Sequence, residues 1–110
     1  MGGFMKGDVV VLPFPFSDLS KSKKRPALVV APLGIHEDVI LCMITSHTSD
    51  EDAIDLHQSD FTDGGLPRDS FIRPNRLFTA EGSLVIRIAG RVTESKMDEV
   101  REKIIDIISR

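Results

Sequence analysis

The chain has 110 residues, a formal net charge of −3, 41% hydrophobic residues and 28% charged residues. This length and composition exclude a disordered segment and a multidomain protein, and they predict one globular domain over residues 1–110. No apolar run is long enough to span a membrane, and the first residues are too polar for a secretory signal. We therefore expect a cytoplasmic protein without membrane contact.

Cysteine and histidine usage gives no sign of a metal site. Cys42 is the single cysteine, which suits a reducing compartment, and its apolar neighbours predict a buried side chain. The three histidines are far apart, and neither CxxC nor HExxH occurs. A glycine-rich phosphate loop is also absent from the sequence. We expect neither a metal nor another cofactor.

Short apolar runs separated by turn signals predict six strands, at 9–12, 25–31, 38–46, 53–56, 69–73 and 84–92. Pro13 and Pro74 are expected to end the first and fifth strands, because proline cannot donate to a sheet ladder. Asp63-Gly64-Gly65 reads as a loop, and Gly90 as a bulge or a point of close packing. The fourth strand is expected at a sheet edge.

The third strand is wholly apolar from Val39 to Ile44, which predicts burial on both faces, by the core on one and by a helix or partner subunit on the other. Glu94–Ile108 is the only convincing helix, since apolar residues recur there at spacings of three and four: Met97, Val100, Ile104, Ile107 and Ile108. The pattern predicts a mainly β fold, a small barrel with a C-terminal α-helix.

A basic crossing follows the first strand and ends in Arg25-Pro26. It carries four cations that we expect beside the mouth of the sheet: Lys21, Lys23, Lys24 and Arg25. A guanidinium held at a strand start can direct its fork at a phosphate; the alternative for Arg25 is an ion pair with Asp18 or Glu37. Phe14 and Phe16 either cap the core or offer a ring on which an RNA base stacks.

Charge is unevenly distributed along the chain. Residues 46–60 contain acids and no Lys or Arg, and we expect the run at 50–55 to be a solvated surface loop. Residues 61–93 are richer in bases than in acids, with five arginines: Arg68, Arg73, Arg76, Arg87 and Arg91. A cationic groove can therefore exist on an acidic chain.

Further candidates lie at strand ends. Thr45 and Ser46 end the third strand, where a hydroxyl can bind a phosphate oxygen or make routine strand-end hydrogen bonds. Strand alternation would place Thr45 and His47 on one face, with Ser46 opposite. His47 is either a proton carrier or an exposed, inert residue, and Arg73 either holds a phosphate or pairs with Asp69.

An ordered set of segments resembles the MazF/PemK toxins of bacterial toxin–antitoxin systems. These segments are GDVVVLPFPFSDL followed by KKRPALVV, ITS at 44–46, FIRPNRLF, and IRIAGRV. The resemblance implies a homodimeric SH3-like barrel that cleaves single-stranded RNA without metal and is neutralised by a cognate antitoxin.

The same resemblance implies roles for individual residues. Arg25 would stabilise charge on phosphorus, Thr45 would orient the phosphate and Arg73 would bind it. RNA contacts would come from Lys21, Lys23, Lys24, Phe16, Ser46, Asn75 and Arg76. PemK/Kid-like members have R-x-D where this chain has Arg73-Pro74-Asn75, and an amide cannot act as a carboxylate base. The general base is therefore left open between His47 and another group.

Two alternatives follow. A catalytically degenerate relative would bind RNA or a protein, which Asn75 favours. A CcdB-like toxin would act on a protein partner, but that group uses a Trp-Gly-Ile end, whereas this chain has no Trp and ends in Ile108-Ser109-Arg110.

Overall fold

The computed structural model describes residues 3–14, 23–34 and 37–110. Its strands and helix are, in chain order, β1 (Asp8–Phe14), β2 (Lys23–Pro32), β3 (Val39–Thr45), β4 (Ile54–Leu56), β5 (Phe61–Gly64), β6 (Ser70–Ala80), β7 (Arg87–Val92) and α1 (Glu94–Ile108). Single turns of 3-10 helix, Gln58–Asp60 and Gly82–Leu84, precede β5 and β7. None of the helices in these ranges is long and apolar enough to cross a membrane.

The seven strands form one sheet in the order β4-β6-β3-β2-β1-β7-β5. All neighbouring strands are antiparallel, and the sheet curls into a half-barrel. The predicted mainly β fold with one C-terminal helix is confirmed. β4 lies at one edge of the sheet, as the sequence predicted for the strand at 53–56.

The central strands are buried on both faces. In β2, Leu28 belongs to a core cluster that includes Val100 of α1, whereas Val29 belongs to a second cluster on the opposite face. In β3, Leu41 and Cys42 divide between the same two clusters. The predicted two-sided burial of β3 is therefore confirmed, and the chain itself supplies both covers.

The prediction of a loop at Asp63-Gly64-Gly65 is wrong, because Asp63 and Gly64 are the last two residues of β5. Asp63 and Gly64 pair with Arg91 and Gly90 of β7. A Cβ at Gly90 would lie 2.5 Å from the backbone oxygen of Asp63. This close approach of two backbones confirms the close packing predicted at Gly90, and β5 was missed because its pairing partner lies far along the chain.

Two prolines predicted to end strands instead lie within them. Pro74 lies inside β6, where the ladder against β3 shifts between Cys42 and Met43 so that residues 74–76 bulge out of register. Pro13 lies in β1 opposite Lys24 of β2. Val11 O accepts from Ile86 N on the β7 side, and by strand alternation Pro13 N lies on that same side, beyond the last pair with β7. Neither proline nitrogen therefore removes a ladder hydrogen bond, which is the condition under which a strand tolerates proline.

The helix α1 begins and packs as its sequence predicts over most of its length. Thr93 is the N-cap, and its side chain accepts a hydrogen bond of 3.1 Å from Lys96 N. Val100 is buried in the core, but Ile108 is 72% exposed, so the predicted apolar stripe does not stay buried to its last residue. The buried Lys96 donates to the backbone oxygen of Asp55 at 2.8 Å, which joins the helix to β4.

The acidic run after β3 is not a solvated loop, because two of its carboxylates are bound. Asp50 accepts hydrogen bonds from Asp52 N at 2.9 Å, Arg73 Nη2 at 3.1 Å and Asn75 Nδ2 at 2.6 Å. Asp52 pairs with Arg110 at 2.8 Å. We call Asp50, Arg73 and Asn75 the Asp50 cluster; it ties the segment after β3 to the bulge of β6.

Of the two alternatives for Arg73, the pairing with Asp69 is wrong, since the arginine binds Asp50 and Asp69 lies 3.2 Å from His57 Nδ1. The Asp50 cluster holds the pKa of the Asp50 carboxyl at about 2, below its ordinary value of 3.8. The causes are the hydrogen bonds from the backbone of Asp52, then from Asn75 and Arg73.

The Asp50 cluster generates a pH prediction. We expect Asp50→Asn to lower the free energy of unfolding at neutral pH, because the charged acceptor is lost. The folded-state pKa is depressed, so the contribution is full above 3.8 and disappears as the pH falls through about 2. Urea denaturation at a series of pH values should show a gap between the two proteins that narrows at the acid end.

The matched control for this experiment is Asp98→Asn, which removes a carboxylate whose side chain is 57% exposed on α1. This variant should unfold like the parent chain across the series. A gap for Asp50→Asn that keeps the same size down to the lowest pH would contradict the interpretation.

Candidate functional site

A cleft of about 560 Å³ opens where the start of β2, the end of β3, the segment before β6 and the start of β7 meet. Its described wall contains five cationic side chains: Lys23, Lys24, Arg25, Arg68 and Arg87. Three hydroxyl side chains share this wall: Thr45, Ser46 and Ser70. The described wall has neither a carboxylate nor an imidazole. The cleft is therefore a cationic site on a chain whose net charge is negative.

Strand register explains why the cations lie beside the hydroxyl groups. Ala27 pairs with Met43, and this is the last pair between β2 and β3 at this end of the sheet. Two residues farther along each strand are Arg25 and Thr45, and both line the cleft. Arg25 is half-buried and pairs across to Leu12 of β1, so its backbone position is fixed by the sheet.

The rim at the end of β3 differs from the predicted alternation. Thr45 and Ser46 both line the cleft, whereas His47 is exposed and lies outside its wall. β3 ends at Thr45, and the chain then turns, so the period of two no longer applies. Thr45 Oγ1 donates to His47 O at 3.0 Å and accepts from His47 N at 3.3 Å. To donate to a phosphate, Thr45 would have to release the His47 carbonyl.

Two predicted site residues of β6 bind the same carboxylate, Asp50, and lie outside the cleft wall. Arg73 and Asn75 belong to the Asp50 cluster, and neither lines the cleft. The Arg73 side chain is 22% exposed, and its Nε is buried without a hydrogen-bond partner among the described residues. Arg76 is exposed on the same bulge and also lies outside the cleft wall.

Two predicted RNA contacts, Lys21 and Phe16, lie outside the described residues. Phe14, weighed with Phe16 as a cap or a stacking platform, is only 6% exposed. Its ring packs edge-on against Phe78, with centroids 4.9 Å apart and an interplanar angle of 75°. Phe14 therefore caps the second core cluster.

Sequence reasoning assigned no site role to Arg68, Ser70 or Arg87, although all three line the cleft. Arg68 and Arg87 belong to the base-rich stretch 61–93, so the uneven charge was the available signal. Ser70 Oγ donates to Arg68 O at 3.1 Å, which steadies the segment that carries Arg68. Which arginines of that stretch share one cleft depends on strands brought together from distant parts of the chain.

The remaining wall of the cleft is apolar and consists of Val11, Pro26, Ile44, Leu66, Pro67 and Ile86. Ile86 is 49% exposed, so the cleft presents apolar surface to solvent beside its cations. Cationic groups over an apolar surface suit a polyanion whose uncharged parts can also pack, as the bases of a single strand do.

Within residues 3–14, 23–34 and 37–110, no three His, Cys, Asp or Glu side chains are grouped so that they could hold a metal ion. Cys42 is buried in the core, and burial raises the pKa of its thiol to about 12. This thiol therefore cannot serve as a thiolate nucleophile near neutral pH.

Comparisons with solved structures support the fold. MazF of Deinococcus radiodurans (Form-I) has a TM-score of 0.77 and 18% identity, with coverage of 100% of each chain. An endoribonuclease from a mycobacterial species, in complex with its cognate antitoxin, has a TM-score of 0.74 and 15% identity over 99% of this chain and 96% of that one. The toxin MazF-mt6 of Mycobacterium tuberculosis has a TM-score of 0.70 and 16% identity over 93% of this chain and 96% of that one.

No curated protein matches the sequence significantly. Residues 5–108 match the family described as PemK-like, MazF-like toxin of type II toxin–antitoxin system. Since the match spans nearly the whole chain, the protein belongs to the PemK-like, MazF-like family of type II toxins.

Proposed function

We propose that this toxin is a metal-independent endoribonuclease that cleaves single-stranded RNA by attack of its own 2′-hydroxyl group. The observation that carries the proposal is the cationic cleft, with five basic side chains and no carboxylate in its described wall. Family membership supports it, as do similar structures that are themselves endoribonucleases. The RNA supplies the nucleophile, so the protein needs to supply geometry, charge stabilisation and proton transfer.

In the proposed reaction, a bond forms between the 2′-oxygen and phosphorus, and the bond from phosphorus to the 5′-oxygen breaks. The 2′-hydroxyl proton passes to a base, and the 5′-oxygen takes up a proton as it leaves. The products are a 2′,3′-cyclic phosphate and a 5′-hydroxyl group. Arg25 would stabilise the added negative charge on phosphorus, because its planar fork fits two phosphate oxygens.

Other cleft residues would bind and orient the substrate. Thr45 would donate to a phosphate oxygen after releasing the His47 carbonyl, and Ser46 lies beside it. The phosphates on either side of the cleaved one would be bound by the four other cations of the described wall: Lys23, Lys24, Arg68 and Arg87. Lys21 and Phe16 remain proposed RNA contacts on sequence grounds alone.

Neither Asn75 nor the carboxylate that it binds, Asp50, suits the role of proton carrier. Asn75 cannot accept a proton as a carboxylate would, and the carboxylate beside it, Asp50, has a pKa of about 2. A carboxylate that acidic is a weak base near neutral pH. His47 lies outside the described cleft wall but directly follows the rim residues Thr45 and Ser46, and it stays the proposed proton carrier. We give Arg73 and Asn75 a supporting role, since both hold Asp50, and leave Arg76 as an RNA contact at the edge of the bulge.

A cognate antitoxin is the proposed partner, since solved structures of similar toxins include complexes with one. An acidic segment of that antitoxin would complement the cations of the cleft. An RNA substrate would place the chain in the cytoplasm. We also propose a homodimer, supported by the exposed aliphatic side chains of Leu84, Ile86 and Ile88, which are 49%, 49% and 51% exposed.

A second candidate function is RNA binding without cleavage. The described cleft wall contains neither a carboxylate nor an imidazole that could accept the proton of the 2′-hydroxyl group. This observation favours a degenerate relative that retains the cationic cleft and has lost the chemistry.

The test of function is incubation with a defined single-stranded RNA in excess EDTA, followed by end-group analysis. We expect fragments that carry 2′,3′-cyclic phosphate and 5′-hydroxyl ends. Cleavage that stops in EDTA and returns with a divalent ion would contradict the proposed mechanism. Retention of intact RNA on the protein, without fragments, would instead support the binding-only candidate.

Arg25→Lys should lose most of the cleavage activity although the charge is kept, because an ammonium cannot reproduce the bidentate fork. We expect a loss on the order of 2–4 kcal/mol in transition-state stabilisation, by analogy with removal of one oxyanion donor. Single-turnover cleavage rates measure this loss. Arg101→Lys, on the exposed side of α1, is the matched control. A folded Arg25→Lys protein that cleaves at the parent rate would remove Arg25 from the chemistry.

The homodimer is tested by light scattering at micromolar concentration, where we expect twice the chain mass. Ile88→Lys should weaken association if this exposed patch forms the interface, because a charge would be placed in an apolar contact. A parent chain that remains monomeric under these conditions would rule out the dimer.

A further inference from the structure

A second pocket, of about 270 Å³, lies across the segment 66–68 from the cleft. Leu66, Pro67 and Arg68 line both spaces, so one wall separates them. We propose that this pocket receives the base of a nucleotide next to the phosphate bound in the cleft, and that it prefers guanine. The inference rests on the proposed function to the extent that RNA is the ligand of the cleft.

The interior of the pocket suits the flat face of a base. Its apolar wall consists of Leu56, Phe61, Leu66 and Pro67. Phe61 packs against the core, is only partly buried and lines the pocket. Proteins that read single-stranded RNA commonly stack splayed bases on aromatic side chains and then bind the base edges with polar groups.

The polar edge of the pocket is rich in hydrogen-bond acceptors. Asp69 contributes a carboxylate whose side chain is 73% exposed, and one of its oxygens lies 3.2 Å from His57 Nδ1. Gln58 Nε2 donates to Gly64 O at 2.8 Å. Both the nitrogen and the oxygen of the Gln58 amide lie against Gly65, where the oxygen keeps its capacity as an acceptor.

The pocket is held in place before any ligand binds. The turn that carries Gln58 is capped by a 2.8 Å hydrogen bond from His57 N to Asp60 Oδ2. The opposite side is held by Gly65 N, which donates to Ala89 O at 3.1 Å. Both walls are therefore fixed by the backbone, so little conformational freedom would be lost on binding.

Charge decides which part of a nucleotide would enter. The second pocket carries the Asp69 carboxylate, and Asp55 lies 3.9 Å from His57 Nε2 at its edge. A phosphate would be repelled there, whereas the five cations of the cleft attract it. Arg68 lies in the shared wall, where it can hold the backbone between the two sites.

The acceptor-rich edge distinguishes among bases. Guanine presents two adjacent donors, N1–H and the N2 amine, which match a carboxylate. Uracil presents carbonyl oxygens on either side of a single donor, and these would face the acceptors of Asp69 and Gln58. Adenine and cytosine each offer one exocyclic amine. Pairing of complementary donors and acceptors discriminates among bases, and a base oxygen held against the Asp69 carboxylate is unfavourable.

The probes for this proposal are 2′-O-methyl uridine hexamers, which cannot be cleaved by 2′-oxygen attack. One set carries a single guanosine at each position in turn, and a matched set carries inosine, which lacks only the N2 amine. Binding is measured by fluorescence anisotropy on the intact chain. We expect guanosine at one position to bind about tenfold more tightly than inosine there, since the amine donates to a charged acceptor.

Asp69→Asn should reduce that preference to less than about twofold, because the charged acceptor for the N2 amine is lost. Gln58→Ala provides a second variant in the same pocket. Asp63→Asn, an exposed carboxylate of β5 that lines neither space, should keep the full preference. Equal binding of guanosine and inosine by the parent chain, or a preference that survives both pocket variants, would overturn the proposal.

The two proposals fail separately. Cleavage with the expected ends but without guanosine preference would refute the base pocket and leave the endoribonuclease standing. Guanosine preference without any cleavage would refute the endoribonuclease and leave the base pocket standing. Failure of the parent chain to bind any hexamer would refute the pocket.

Discussion

The register between β2 and β3 is the constraint on which the site depends. Both strands are buried on two faces, so a slip of one residue would turn every side chain to the wrong cluster. The ladder ends at Ala27 and Met43, and each strand continues beyond it. The residues that continue, Arg25 and Thr45, are thereby placed side by side at the mouth of the cleft. Packing in the core thus sets the geometry of the site.

Segregation of charge makes a cationic cleft compatible with a net charge of −3. Several acids are neutralised by bases away from the cleft: Asp8 pairs with Arg91 at 3.0 Å, and Asp52 pairs with Arg110 at 2.8 Å. The five cations of the described cleft wall share that wall with no acid. The local field at the cleft is therefore set by its own side chains, since distant exposed charges are screened by salt.

The Asp50 cluster shows how the amide at Asn75 fits the role of its neighbours. An amide at Asn75 can donate to Asp50, whereas a carboxylate at that position would repel it. The acid of this region is therefore Asp50, supplied from the segment after β3 and held as a strong acid by its hydrogen bonds. Its consequence is structural: the segment that follows Thr45 and Ser46 is anchored to β6, close to the rim of the cleft.

The sequence by itself determined the fold class, the length of α1, the two-sided burial of β3 and the basic start of β2, because hydrophobic periodicity and turn chemistry are local properties. It could also place Arg25, Thr45 and Ser46 at strand ends, where the structure brings them into one cleft. It could not decide which strands tolerate proline, since that depends on whether a neighbouring strand needs the missing donor.

Only the tertiary structure decided which charged residues meet. Arg73 was equally able to hold a phosphate or to pair with Asp69, but the fold brings it to Asp50. Arg68 and Arg87 join the cleft from segments distant in sequence, and β5 exists because β7 lies beside it. Contacts between residues far apart along the chain leave no periodic trace in either segment, which is the physical reason that the sequence determined the elements and the tertiary structure determined the site.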